Sequence, residues 1–221
     1  IDTQSLTLTG VYSGQQGYLG LGYARWETEY GIPEAFDARP RNMGGQEDEY
    51  ERISADYDRF DLSGELYDPF KGVESIRLNL AYTQFNQYEK EYEYERTPQG
   101  GTLDEIVLGA LFLQDELDGR LEINHQTPWD GIGVVGLDFN HVDFRAEGED
   151  DEEFFIRPND KLGLGLFTVQ NISADFGRWE FGLRLERQHF DPQAINDPAV
   201  PYVDIGNRRV TFQTCLLYTS D

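Results

Sequence analysis

The chain has 221 residues, with 18 basic and 42 acidic side chains, and its formal charge is −24 at pH 7. A surface this acidic repels phosphate, and so it argues against nucleic acid as a partner. No apolar run approaches the roughly 20 residues of a membrane helix, but a membrane β-strand needs only about 9–11 residues with every second one apolar.

Stretches of alternating apolar and polar residues predict β-strands along the whole chain. The predicted strands are residues 5–12, 17–26, 59–70, 76–82, 117–124, 131–144, 161–172, 179–190 and, unfinished, 208–213. The sequence therefore predicts an all-β fold with about eight strands and part of a ninth. Adjacent strands are joined in sequence order, as in antiparallel hairpins.

The connections between these strands alternate between short and long. Short turns are predicted at residues 13–16, 68–72 (around Asp68-Pro69), 127–130 and 174–178, and long irregular segments at 30–49, 87–109, 147–160 and 192–207. In the second long segment, periodicity leaves both a strand start and a helical turn open for Ile106–Leu113. This alternation is typical of an outer-membrane barrel, whose short turns face the periplasm and whose long loops face outside.

Charged residues fall on one side of the alternating pattern, opposite the leucines and aromatics. They are Asp61, Glu65, Arg77, Arg120, Glu122, Glu180, Arg184 and Glu186. A small packed barrel could neither hydrate nor pair so many charges cheaply, whereas a large or plugged barrel can. Trp129 and Trp179 lie at short-turn ends, where interfacial aromatics are expected. The sequence therefore predicts part of an antiparallel up-and-down transmembrane β-barrel.

One acidic cluster is a candidate metal-binding loop. It comprises Glu147, Glu149, Asp150, Asp151, Glu152 and Glu153, with His141 as a candidate additional ligand. Hard divalent cations take oxygen ligands, so the cluster suits cation capture. A solvated loop facing lipopolysaccharide is the alternative reading. No cofactor is predicted, and the absence of nucleophile, P-loop and zinc-protease motifs predicts that the chain is not an enzyme.

The two ends of the chain suggest an internal fragment. Cys215 is the single cysteine, and the run Cys215-Leu216-Leu217-Tyr218-Thr219-Ser220-Asp221 looks like the translation of a transposon-end sequencing adaptor. We therefore expect residues 1–214 to be part of a barrel and residues 215–221 to be a non-native tail. The chain starts at Ile1, with neither Met nor a signal peptide.

Several stretches, in order and at hairpin spacing over nearly the whole chain, resemble the barrel of TonB-dependent outer-membrane receptors, closest to the zinc- and haem-uptake branch. They are Tyr30-Gly31-Ile32-Pro33, Arg59–Phe70, Arg120-Leu121-Glu122 with His125, Phe144-Arg145-Ala146-Glu147-Gly148-Glu149, Leu164-Gly165-Leu166-Phe167 and Leu183-Arg184-Leu185-Glu186-Arg187-Gln188. One departure is that residues 34–49 contain no histidine, whereas the zinc branch often carries a His-rich loop there.

The resemblance implies a 22-stranded barrel in the outer membrane of a Gram-negative bacterium, filled by an N-terminal plug. It implies energised import of a scarce nutrient, with a metal ion or metal chelate as the leading substrate. The implied partners are outer-membrane lipid and lipopolysaccharide, together with TonB through the plug. Two alternatives are a non-energised porin or adhesion-type barrel and a soluble β-sandwich that binds carbohydrate through its aromatics.

Overall fold

A computed structural model describes most of the chain. The described residues are 1–32, 47–97, 100–127, 131–148, 156–174, 177–192 and 208–220. Among them there is no helix that could cross a membrane.

Nine strands form one antiparallel sheet. They are β1 (Asp2–Gly14), β2 (Gly17–Ile32), β3 (Glu47–Phe70), β4 (Val73–Thr97), β5 (Gly100–Thr127), β6 (Gly131–Gly148), β7 (Ile156–Ala174), β8 (Gly177–Pro192) and β9 (Arg208–Ser220). Each strand pairs with its sequence neighbours, in the order β1 to β9. The all-β, up-and-down prediction is therefore confirmed. The sheet is not closed, because β1 and β9 are its two edges within the described residues.

Two of the short turns are fully described. Gly14 pairs with Gly17 at the end of the first hairpin, and Gly17 has a φ of 149°. In the next hairpin, Phe70 pairs with Val73, and Gly72 has a φ of 86°. The predicted short turn at residues 68–72 is confirmed, but its tip is Lys71-Gly72 and not Asp68-Pro69. Asp68 and Pro69 form an irregularity within β3, where Asp68 has a φ of 48°. Proline lacks a backbone N–H, and it is tolerated at such a bulge because no ladder hydrogen bond is needed from that position.

The prediction of a long irregular segment at residues 87–109 is wrong. Strands β4 and β5 continue through it, with Gln87 paired to Phe112 and Thr97 to Gly100. The acidic, Tyr-rich residues 88–95 alternate in the manner of a strand, and tyrosine has a high strand propensity. The negative charge of this run therefore did not prevent pairing. Ile106–Leu113 is accordingly part of β5 and not a helical turn.

The other long segments are shorter than expected. β2 extends to Ile32 and β3 starts at Glu47, while β6 extends to Gly148 and β7 starts at Ile156. Residues 33–46, 149–155 and 193–207, where the remaining loop predictions fall, lie outside the described residues. Residues 215–220 of the adaptor-like run belong to β9, with Cys215 opposite Leu183, and the proposed non-native origin of the run stays a prediction.

The register separates two faces of the sheet. The apolar face carries, among others, Leu21, Leu62, Leu80, Leu121, Leu137, Leu164, Leu166, Leu183 and Leu185. The polar face carries the eight charged residues predicted to share one side, together with Asp138. Few large side chains are buried, and the buried residues, such as Ala81 and Phe167, lie mainly on the polar face.

The first hairpin supplies a test of the turn geometry. We expect Gly17→Ala to lower the free energy of unfolding by about 1–3 kcal/mol, because a methyl group there would lie 1.9 Å from the Glu65 carbonyl oxygen. The measurement is urea-induced unfolding. Gly10→Ala is the matched control, since nothing lies within 4 Å of its added methyl group. Equal destabilisation by the two substitutions would contradict the turn geometry.

Candidate functional site

The polar face is crossed by a continuous series of ion pairs, here called the ion-pair ladder. Its members, in order across the sheet, are Glu65, Arg77, Glu122, Arg120, Asp138, Arg184 and Glu186. The nitrogen–oxygen distances are 3.0 Å for Arg77–Glu65, 3.7 Å for Arg77–Glu122, 2.8 Å for Arg120–Glu122, 3.1 Å for Arg120–Asp138 and 2.8 Å for Arg184–Glu186. The ladder thus joins β3 to β8 through side chains alone.

Asp138 is the point at which two arginines converge. Arg120 donates from Nη1 to Asp138 Oδ1, and Arg184 donates from its own Nη1 to Asp138 Oδ2. Arg184 reaches Asp138 from β8 by crossing β7 above Gly165. A methyl group on Gly165 would lie 2.9 Å from Arg184 Nη2, so a side chain at this position would displace the guanidinium group.

Phe167 lies beneath this pair of arginines. The Arg120 guanidinium carbon is 4.4 Å from the centre of the Phe167 ring, and the Arg184 guanidinium carbon is 6.0 Å from it. Both distances allow a cation–π attraction. The ring lies over Gly136, where an added methyl group would be 2.2 Å from Phe167 Cζ. Gly136 therefore allows the aromatic ring to lie flat on the sheet, where it is buried.

Two polar grooves flank the Asp138 centre. One has a volume of about 440 Å³ and is lined by residues that include Arg59, Asn79 and Arg120. The other has a volume of about 230 Å³ and is lined by residues that include Lys161 and Arg184. Both grooves are also lined by Asp118, Asp138 and Asn140.

Asn140 joins the acidic groups beside these grooves. Its amide nitrogen donates to Glu116 and to Asp118, at 2.8 Å in each case. Its amide oxygen is buried and has no hydrogen-bond partner among the described residues. The amide thus holds two carboxylates together without neutralising either of them.

The apolar face ends at a row of residues, here called the boundary row. Its members, paired strand by strand, are Leu8, Tyr23, Phe60, Tyr82, Leu117, His141, Leu162 and His189. The next row toward the long connections carries Arg25, Asp58, Gln84, Asp115, Asp143, Asp160 and Asp191.

Three polar side chains of the boundary row form hydrogen bonds with carboxylates of that next row. The Tyr23 hydroxyl donates to Asp58 at 2.6 Å, and the Tyr82 hydroxyl donates to Asp115 at 3.1 Å. His141 Nε2 lies 3.1 Å from the Asp160 carboxylate. The boundary row therefore divides a leucine-rich surface from a hydrogen-bonded, charged one.

The predicted metal cluster is only partly described. His141 is paired with Asp160, and Glu147 lies six residues further along β6, or about 20 Å away along an extended strand. These two members are therefore not brought together. Glu149, Asp150, Asp151, Glu152 and Glu153 lie outside the described residues. Within the described ranges, no group of three or more His, Cys, Asp or Glu side chains is placed to hold a metal. The loop as a metal site stays a prediction.

The sequence pattern missed several residues that organise the polar face. Asp138 and Gly136 were not singled out, and Gly165 and Phe167 were named only within a resembling stretch. The roles of all four depend on which residues face each other across strands. The repeated glycines of β6 (Gly131, Gly133 and Gly136) and of β7 (Gly163 and Gly165) are a signal that close cross-strand packing is needed. It does not identify the side chain that fills the space.

Gly136 allows a test of the aromatic contact. We expect Gly136→Ala to displace Phe167 and to lower the free energy of unfolding by about 1–3 kcal/mol, because the added methyl group would overlap the ring. The measurement is urea-induced unfolding. The matched control is Gly163→Ala, where the nearest atoms lie at an ordinary 3.7 Å. A Gly136→Ala protein as stable as the control would refute the contact.

Comparison with known proteins assigns no family. No protein-family model matches the chain, and no curated protein matches it. Its function therefore has to be inferred from its own residues.

Proposed function

We propose that this chain is the membrane-spanning part of a larger outer-membrane barrel of the TonB-dependent receptor type, which imports a scarce nutrient. In this proposal the apolar face contacts lipid and the polar face lines the lumen. The sheet would be completed by further strands beyond β1 and β9. A metal ion or a metal chelate is the leading substrate.

The observation that carries the proposal is an inversion of ordinary burial. Leu21 is 62% exposed on the apolar face, whereas the side chain of Glu65 on the polar face is 11% exposed. Exposed leucines extend from β1 to β8, including Leu8, Leu137 and Leu185. An apolar surface this continuous is costly in water, at about 25 cal/mol per Å², and large apolar patches mark interaction surfaces.

The dimensions of the apolar face suit a bilayer. On β5, His125 near the short turn lies eight positions after Leu117 in the boundary row, and on β7 Gln170 lies eight positions after Leu162. Eight residues span about 27 Å along a strand. At a tilt of about 35–45° this corresponds to about 19–22 Å across the membrane, slightly less than the usual apolar band of about 25 Å.

Polar and aromatic groups mark both limits of this band. At the upper limit, Tyr23 and Tyr82 direct their hydroxyls toward aspartates. At the lower limit, the Gln170 amide donates to Thr168 at 2.7 Å, and Trp179 stacks on Phe181 with ring centres 6.5 Å apart. Amphipathic aromatics of this kind favour the two interfaces of a membrane.

The specific transport class is supported by the resemblance and by the polar face. A face crossed by paired charges suits a wide, wet or plugged lumen. The plug and TonB are the partners that the resemblance implies, and they would supply the energy for import. The acidic residues 147–153 would then lie on the outer side, where a divalent cation arrives.

A non-energised porin is the second candidate, since the two-faced sheet supports it equally. A soluble carbohydrate-binding sandwich is less favoured, because the described residues form a single sheet with no second layer over the leucines.

Membrane insertion is tested by placing a charge on the apolar face. We expect Leu183→Arg to impair assembly into the outer membrane, because an arginine on the lipid face is costly, by about 2–4 kcal/mol at mid-bilayer and by less toward the interfaces. Gln188→Arg is the matched control, since Gln188 lies on the polar face of the same strand. The measurement is the amount of protease-resistant, membrane-inserted protein.

Normal insertion of the Leu183→Arg protein would refute the lipid-facing assignment. Impaired insertion of both proteins would mean that β8 tolerates no added charge on either face. That result would also contradict the proposal, which requires the two faces to respond differently.

Nutrient import is tested with the acidic loop. We expect replacement of Glu147, Glu149, Asp150, Asp151, Glu152 and Glu153 by their amides to reduce uptake of a divalent metal at limiting concentration, because the oxygen donors lose their charge. Uptake is compared with and without TonB. Uptake that is independent of TonB would favour the porin, and uptake unchanged by the substitutions would assign the loop to the solvated surface.

A further inference from the structure

The arginines of the ion-pair ladder stand above their acidic partners. The side chain of Arg120 is 45% exposed, whereas the side chain of Asp138 is 22% exposed and that of Glu122 is more buried still. The same order holds for Arg184 over Glu186 and for Arg77 over Glu65. A solute approaching the polar face therefore meets N–H groups before it meets carboxylates.

Arg120 and Arg184 are held in place before any ligand arrives. Phe167 supports both guanidinium groups from below, and Asp138 bonds to both from the side. Glu122 and Glu186 fix the other edge of each guanidinium group, through Nε–oxygen distances of 3.0 Å and 2.9 Å. Side chains fixed in this way lose little conformational entropy when they bind a ligand.

These two arginines also have donors to spare. A guanidinium group carries five N–H donors, and the carboxylates around Arg120 accept three hydrogen bonds from it. An oxyanion about 3 Å from both guanidinium groups lies about 6 Å from their three carboxylate partners, Asp138, Glu122 and Glu186. Because the Coulomb energy varies as 1/r, two positive charges at half the distance attract it more than these three negative charges repel it.

The flanking grooves restrict the rest of the ligand. The 440 Å³ groove is large enough for a small molecule, and Asp118 and Asp138 line it together with Arg120. A second negative group on the ligand would be repelled there, whereas hydroxyl groups could donate to these carboxylates. The ligand that fits has one oxyanion group and several hydrogen-bond donors.

We propose that Arg120 and Arg184 bind the oxyanion group, a carboxylate or a phosphate, of a polyhydroxylated ligand that lies in the adjoining groove. The site rests on the proposed function in one respect, namely that the polar face lines a lumen through which such a nutrient passes. It adds a substrate class that the acidic loop does not suggest.

The test measures binding to the full chain in detergent micelles by isothermal titration calorimetry. Gluconate supplies a carboxylate, glucose 6-phosphate supplies a phosphate, and glucose supplies the hydroxyl groups alone. We expect at least one of the two anions to bind at least tenfold more tightly than glucose, and the tighter of the two identifies the oxyanion.

The matched variants are Arg120→Gln and Arg25→Gln. Arg25 is 46% exposed and bonds to Glu27 and Asp58 in the same pattern as Arg120 bonds to Glu122 and Asp138, but it lies beside the apolar face. We expect Arg120→Gln to weaken anion binding at least tenfold and Arg25→Gln to change it less than twofold. Equal losses, or equal affinities for the anions and glucose, would overturn the site.

Asp138→Asn is a second variant, for which the expected result is a gain in anion affinity and not a loss. The asparagine amide keeps an oxygen that accepts from the arginines but removes the negative charge between them, so we expect the anion to bind at least threefold more tightly. Unchanged or weaker binding by a folded Asp138→Asn protein, with folding verified by circular dichroism, would also overturn the proposal. If these binding tests failed while the protein inserted normally into the membrane, the proposed function would stand, because insertion depends on the opposite face of the sheet.

Discussion

The structure depends on one constraint, which is that the two faces of the sheet need different surroundings. Leucines and aromatics alternate with charged residues on the same strands, so no strand can bury one set without exposing the other. The charged set is paired across strands, whereas the leucines are left exposed. Burial of the leucines against an apolar medium is therefore the missing stabilisation of the sheet, and a bilayer supplies it in the proposed function.

Much of the fold follows from period-2 alternation. The strands around the short turns, their order and the segregation of charges such as Arg77 and Glu186 were all predicted from residue pattern. The strand pairing of residues 87–109 was not predicted, because their many acidic side chains are typical of a solvated loop, although Tyr88, Tyr92 and Tyr94 alternate with glutamates as in a strand. Charged side chains do not prevent strand pairing where water can hydrate them.

The organisation of the polar face could not be predicted, because it depends on the register between strands, which the alternation within each single strand does not reveal. Arg184 reaches Asp138 across an intervening strand, and only the register shows that Gly165 lies between them. Phe167 and Gly136 face each other for the same reason. His141 and Glu147, two members of the predicted metal cluster, lie six residues apart on one extended strand, and the metal site itself stays a prediction.

The strictly sequential order of the strands has a consequence for how the sheet is formed. Among the described strands, each one pairs with the strand that precedes it and the one that follows it along the chain. The contacts that define the sheet are therefore closer in sequence than those of a Greek-key arrangement, and the loop-closure entropy of each step is small. A growing sheet of this kind can add one hairpin at a time, with each new strand templated on the last.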